Sequence, residues 1–238
     1  MGVITFNGVP STDANIEVEH QPDYPIAERD FELVHVPGRN GDFLIDMGAY
    51  QNVDLEYDIA FIDQDLDFFQ GAHKVSKWLH SAPGYARLED TYDPLYYRMA
   101  LYKENLRITD ILGKAGRATI TFNAKPQRFL KDGDIAVTIS ESGQVITNPL
   151  DKESKPIITV YGSGDGDLMI GSYHITISDI SEYLTIDSEV EDCYKGSNTV
   201  PGQVVLESGY PKLQVGDNGI TFSGGITSVS VIPKWWTL

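Results

Sequence analysis

Between residues 53 and 61 apolar and polar side chains alternate without a break: Val53, Leu55, Tyr57, Ile59 and Phe61 fall on one side, Asp54, Glu56, Asp58 and Ala60 on the other. A strand turns successive side chains to opposite faces, so this segment is predicted to form a strand with one face in a core and an acidic face in water or against a partner. The same period returns at residues 116–124, where Ala118, Ile120, Phe122 and Ala124 alternate with Arg117, Thr119, Thr121 and Asn123. Pro126, which cannot donate to a central ladder, ends that run. Shorter strands are predicted at 4–6, 16–20, 31–36 and 43–46. Asn40-Gly41, between the last two, is the dipeptide of a tight hairpin turn.

The period changes at residue 68. Phe68, Ala72, Val75, Trp78 and Leu79 recur at helical spacing with Lys74 and Lys77 on the wet side, while Gly71 weakens the helix locally. Asp65 or Asp67 is expected to cap it, and Pro83-Gly84 to end it. A strand, an acidic turn closing at Asp93-Pro94 and an aromatic-rich strand follow. Tyr85, Tyr92, Tyr96, Tyr97 and Tyr102 crowd this stretch, as a sugar or base platform or as core and protein-contact surface. Thr109 to Leu112 reads as a short helical or turn segment.

A boundary is expected between about 130 and 150, where Gly133, Gly143, Asn148-Pro149 and the charges from Asp151 to Lys155 break the pattern. This divides the chain into domains 1–132 and 133–238. Beyond it, short strands are predicted at 157–161, 168–170, 173–177, 184–187, 204–206, 220–222 and 227–232, suggesting a β-sandwich or jelly roll. Gly162-Ser-Gly164-Asp-Gly166-Asp lacks the Lys-Ser/Thr of a phosphate loop and precedes no helix, so it is read as a hairpin turn, as is Gly216-Asp-Asn218-Gly.

With 238 residues, 41% of them hydrophobic, the chain can build one large or two small cores. A single cysteine, Cys193, forms no internal disulfide, and no apolar run has the length of a bilayer span; a soluble protein of a reducing compartment is expected. The net charge of −17 argues against a nucleic-acid surface. Its distribution is uneven: residues 1–70 hold 2 basic and 15 acidic side chains, 71–132 hold 11 and 6, and 133–238 hold 5 and 14. Either these stretches neutralise one another inside one fold, or they form complementary patches of a head-to-tail contact.

Catalytic signatures are missing from the sequence: no nucleophile elbow, no zinc-protease helix, no P-loop. Asp63-Gln-Asp65-Leu-Asp67 spaces carboxylates like a calcium loop but lacks its glycine bend and distal Glu. His73 and His80 are about two helical turns apart, too far to share one metal. No catalytic residue, cofactor or metal is therefore expected.

Four stretches carry a family likeness: residues 36–46 (VPGRNGDFLID), Trp78 to Arg98, residues 116–130 (GRATITFNAKPQRFL) and the terminal IPKWWTL from Ile232. In these motifs, and over essentially its full length, the chain resembles the distal tail proteins of long, non-contractile-tailed phages and prophages of Gram-positive hosts. The resemblance implies a mainly β protein: an N-terminal α+β tail-ring β-sandwich with one main helix, and a C-terminal galectin-like β-sandwich. It implies a homohexameric ring in the virion, joining the tail tube protein to the tail-associated lysin or fibre protein, holding receptor-binding proteins, and leaving a channel for DNA. No membrane and no sequence-specific nucleic acid is implied. Arg87, Tyr96, Tyr97, Arg98, Arg117 and Arg128 are then the candidates for the subunit contact. A saccharide-binding adhesion module in the C-terminal sandwich is the alternative, in which Trp235 and Trp236 serve as a lectin-like platform; otherwise they pack the sandwich or pin the C-terminus.

Overall fold

A computed structural model describes residues 2–62, 68–104, 106–111 and 115–238. The carboxylates Asp63, Asp65 and Asp67 lie outside the described residues. The chain forms two compact units, Met1–Arg128 with Leu238, and Phe129–Thr237. It is mainly β, as the alternating patterns lead one to expect, and no described helix is long and apolar enough to cross a membrane.

The strands of the first unit are β1 (Ile4–Phe6), β2 (Val9–Pro10), β3 (Ile16–Val18), β4 (Arg29–Val34), β5 (Phe43–Tyr50), β6 (Val53–Ile62), β7 (Ala86–Asp90), β8 (Tyr96–Tyr102), β9 (Thr109–Ile111) and β10 (Ala115–Ala124); the helix is α1 (Phe68–Leu79). Hydrogen bonds order them β2-β1-β7-β8-β10-β6-β3, with β9 on β10, and a bridge from Gly2 to Val18 brings the two ends of the sheet together. The longest pairing, β6 with β10, sets Leu55 against Phe122, Tyr57 against Ile120 and Ile59 against Ala118. These six enter the core, and Asp54, Glu56 and Asp58 stay exposed on the other face.

Phe122 is the centre of this core. Its ring lies 5.0 Å from Phe6, 6.1 Å from Trp78, and 6.2 Å from both Tyr57 and Tyr102. Burying each such side chain contributes about 1.5–3 kcal/mol. The helix covers the core with Val75, Trp78 and Leu79, and Trp78 Nε1 donates to the Val9 carbonyl at 2.9 Å. Gly71, which weakens an isolated helix, is explained by contact: a Cβ there would lie 2.4 Å from Phe61. The segment expected to be helical or turn-like at 109–111 is instead strand β9, because the edge of β10 offers backbone partners that local sequence does not reveal.

β4 and β5 form a separate two-stranded sheet. The last paired residues are Val34 and Phe43, so the connection is an eight-residue loop rather than a two-residue Asn-Gly turn. Gly38 and Gly41 both take positive φ within it, where other residues are strained.

The second unit contains β11 (Arg128–Leu130), β12 (Val137–Ile139), β13 (Gln144–Asn148), β14 (Ile157–Ile170), β15 (Tyr173–Asp187), β16 (Asp192–Lys195), β17 (Asn198–Thr199), β18 (Val204–Leu206), β19 (Gly216–Ile232) and β20 (Trp236–Thr237). The main sheet runs β12-β19-β14-β15-β16-β17, with β13 also on β19 and β18 on β15. Folded over, it encloses a core that includes Ile158, Leu168, Ile175, Ile186 and Val229. Its glycines correct the sequence reading. Gly162 to Asp167 is no hairpin turn but a bulged bend inside β14, and Asp217 and Asn218 pair with β13 as strand residues. Strands of 14, 15 and 17 residues can run through both layers only by bending, and glycine permits the close backbone approach there. A Cβ on Gly225 would lie 1.9 Å from the Ser163 carbonyl oxygen, whereas one on Gly219 would meet nothing.

Gly225→Ala should therefore lower unfolding stability by about 2–3 kcal/mol, and Gly219→Ala by much less. Denaturant titration checks this, and equal losses would contradict the bend assignment.

Candidate functional site

The six residues expected at a subunit contact separate into three places. Successive residues of β8 face opposite sides, so Tyr96 and Arg98 share one face and Tyr97 takes the other. Arg98, paired across from Leu88, is only 7% exposed, and its Nη1 donates to the Pro126 carbonyl at 2.8 Å. Burial pushes its guanidinium below the usual value. Arg98 thus serves the interior of its own unit. Arg128 donates to Asp93 Oδ2 at 2.6 Å and lies over the rings of Tyr96 (4.4 Å) and Tyr24 (5.0 Å). A cavity of about 100 Å³ lies among these groups. At its wall the Tyr57 hydroxyl donates to Asp90 Oδ2 at 2.8 Å, and burial followed by the Asp90 charge pushes the phenol well above its ordinary pKa. Asp90 Oδ1 accepts the N–H groups of Tyr92 and Asp93, which fixes the acidic turn.

On the opposite face Arg87 stacks 3.8 Å over Tyr97 and pairs with Glu89. Arg117 sits apart on β10, paired with Glu19 at 2.7 Å, with 63% of its side chain exposed.

The sequence reading missed an exposed apolar surface on the β4–β5 hairpin. No residue of β4 or β5 is buried. Pairing of Leu33 with Leu44 and of Val34 with Phe43 puts Phe31, Leu33 and Leu44 on one face of the hairpin and Val34, Phe43 and Ile45 on the other. Leu33 and Met47 are 55% and 59% exposed. Both strands carry apolar residues at adjacent positions, the pattern of a strand covered on both faces, so the sequence did not signal this exposure. At the base, Arg29 holds Asp46, whose carboxyl is drawn below the usual carboxylate range by that hydrogen bond and by the Gly48 N–H.

Groups suited to chemistry do not converge. No cluster of three or more His, Cys, Asp or Glu able to hold a metal occurs among the described residues. Cys193 is buried, and burial pushes its thiol up. His80 contacts the Ser76 carbonyl and the edge of Tyr102. In the second unit His174 lies between Glu207 (3.0 Å) and Asp167 (3.3 Å), which raise its pKa, Glu207 foremost. Trp235 is buried in the sandwich core, and Trp236 Nε1 donates to the Glu153 carbonyl at 2.8 Å. The terminal tryptophans thus pack and pin rather than form an open platform.

No protein-family model and no curated protein sequence matches the chain. Among solved structures it is similar to SPP1 Dit (gp 19.1), described as a paradigm of the hub adsorption apparatus in Gram-positive infecting phages: TM-score 0.76 at 12% identity, covering 100% of both chains. The chain has the Dit fold. At that identity few contacts are kept by residue type, so the likeness lies in backbone architecture across both units. Within the Dit fold, this chain displays a bare apolar hairpin and no assembled catalytic centre among its described residues.

Arg98→Met should lose about 1–3 kcal/mol of stability by orphaning the Pro126 carbonyl, and Arg117→Met less than about 1 kcal/mol; matching denaturation midpoints would contradict the inward role of Arg98. His174 should titrate above its reference value of about 6.5 in an NMR pH series. Because its folded pKa is raised, its stabilising contribution is complete below the unfolded pKa and is lost as pH rises through the folded one. Glu207→Gln should move the midpoint back down; an unmoved midpoint would contradict the pairing.

Proposed function

We propose that the chain is a structural, non-catalytic subunit of the distal tail of a phage infecting Gram-positive bacteria, and that six copies form a ring hub in the virion. The single observation carrying this reading is the β4–β5 hairpin, an apolar arm with both faces in water. A two-stranded hairpin alone is marginally stable, and an exposed apolar patch rimmed by polar groups marks a contact surface. A head-to-tail contact closed by rotation makes a ring, and such a contact joins two different patches of the same subunit. The similarity to a Dit described as part of a hub adsorption apparatus supports the same reading.

In this reading the ring joins the tail tube protein on one side to the tail-associated lysin or fibre protein on the other, and carries receptor-binding protein at its periphery. The exposed carboxylates Asp54, Glu56 and Asp58 of β6 suit a channel wall, repelling DNA so that it passes without sticking. Arg117 and Arg87, paired within their own subunit with Glu19 and Glu89 respectively, are the outward-facing cations whose remaining N–H groups an acidic neighbour can share. Neither a membrane nor a particular nucleic-acid sequence is needed.

Mass photometry and negative-stain imaging of the full chain should show a closed multimer of six copies at high protein concentration. Leu33→Asp/Phe43→Asp should leave folded monomers whose thermal midpoint matches that of wild type measured at a concentration where wild type is also dissociated, since surface changes cost about 0.5 kcal/mol or less. Assembly of that variant at wild-type concentration would sink the reading.

A further inference from the structure

Three Asn-Gly dipeptides occur in the chain: Asn7-Gly8, Asn40-Gly41 and Asn218-Gly219. Such a pair carries its own chemistry, because a glycine after asparagine leaves its backbone nitrogen uncrowded and able to approach the side-chain amide carbon. How often that approach occurs depends on how firmly the fold holds the amide and the backbone that follows it.

Two of the three are held. Asn7 sits with φ of 50° in the two-residue turn between Phe6 and Val9. Its N–H donates to the Arg87 carbonyl at 2.9 Å, and its Nδ2 donates to the Ser81 carbonyl at 3.0 Å. Asn218 is 2% exposed within β19. Its Nδ2 donates to the carbonyls of Gln214 and Gly216 at 2.8 and 2.9 Å, and its Oδ1 accepts the Gln214 N–H at 2.7 Å. Asn40 is different. It is exposed in the eight-residue loop at the end of the β4–β5 hairpin, and among the described residues no hydrogen bond holds its side chain or the Gly41 N–H.

We infer that Asn40 is a self-modification site, at which the folded chain converts its own side-chain amide to an acid while Asn7 and Asn218 are preserved. The Gly41 nitrogen gives up its proton to solvent and bonds to Asn40 Cγ; the Cγ–Nδ2 bond breaks and ammonia leaves. Water then opens the cyclic imide at either carbonyl. One opening yields aspartate, and the other yields isoaspartate, in which the backbone runs through the former side chain. Water is the sole co-reactant. Both products add a carboxylate between Arg39 and Asp42, and isoaspartate also lengthens a loop in which Gly38 and Gly41 hold positive φ. The reaction does not rest on the ring reading above. If that reading holds, the reaction alters with age the free end of the arm offered to a neighbouring copy.

The test incubates freshly purified full chain at mildly alkaline pH, digests it at acidic pH, and separates and identifies its peptides by chromatography and mass spectrometry. Aspartate and isoaspartate forms of the Asn40 peptide should accumulate at least about tenfold faster than those of the Asn7 and Asn218 peptides, because an ordered turn or strand must open before it reacts. In denaturant the three rates should converge, and Asn40→Gln should remove the isoaspartate signal from that peptide. Asn40 reacting no faster than Asn218 in the folded chain would overturn the inference. So would a gap in denaturant as large as the one in the folded chain, since neighbouring residue types rather than the fold would then set the rates.

Discussion

Phe122 holds the first unit together because it gathers rings from four distant parts of the chain. Phe6 comes from the first strand, Tyr57 from the long alternating strand, Trp78 from the helix and Tyr102 from the aromatic strand. Each face of a sheet needs something apolar to lie against, and here the helix and the curling of the sheet on itself provide it. The acidic face of β6 is the consequence. Once Val53 to Phe61 are committed to the core, Asp54, Glu56 and Asp58 have only the outside to occupy.

The hairpin breaks that rule within one unit, and this makes it informative. Its two strands are hydrogen-bonded to each other and, among the described residues, to no other strand, and apolar residues occupy both of their faces. Nothing in the packing of a lone subunit requires such an arm. Such an arm lowers the solubility of a free monomer, and in the ring reading proposed above a neighbouring copy removes it from water. The interior position of Arg98 shows that not every cation of the middle segment is available for contact.

Much of this architecture was legible from period alone. The nine-residue alternation within β6, its counterpart in β10 and the helical stripe through Trp78 and Leu79 all lie where the pattern placed them. The bends of the second unit were not, because a glycine that lets a strand bulge looks locally the same as one that reverses the chain. Only the partner strand distinguishes Gly162, Gly164 and Gly166 in β14 from a turn. Likewise β9 exists through its neighbour's free edge. Candidate contact residues were chosen by type and charge, which does not report direction: Arg98 and Tyr96 share a face of β8 that Tyr97 does not. The bare hairpin was foreseeable as a strand pair, whereas its exposure depends on what the rest of the unit leaves uncovered.

The most direct measurement of the central claim is hydrogen exchange of the backbone amides across residues 29–50, compared between assembled and dissociated protein. An arm covered by a neighbouring copy should exchange slowly in the assembly and rapidly in the free subunit, while β6 and β10 exchange slowly in both. Equal, rapid exchange of the hairpin in both states would contradict the account, because the apolar arm would then remain in water in the assembled form.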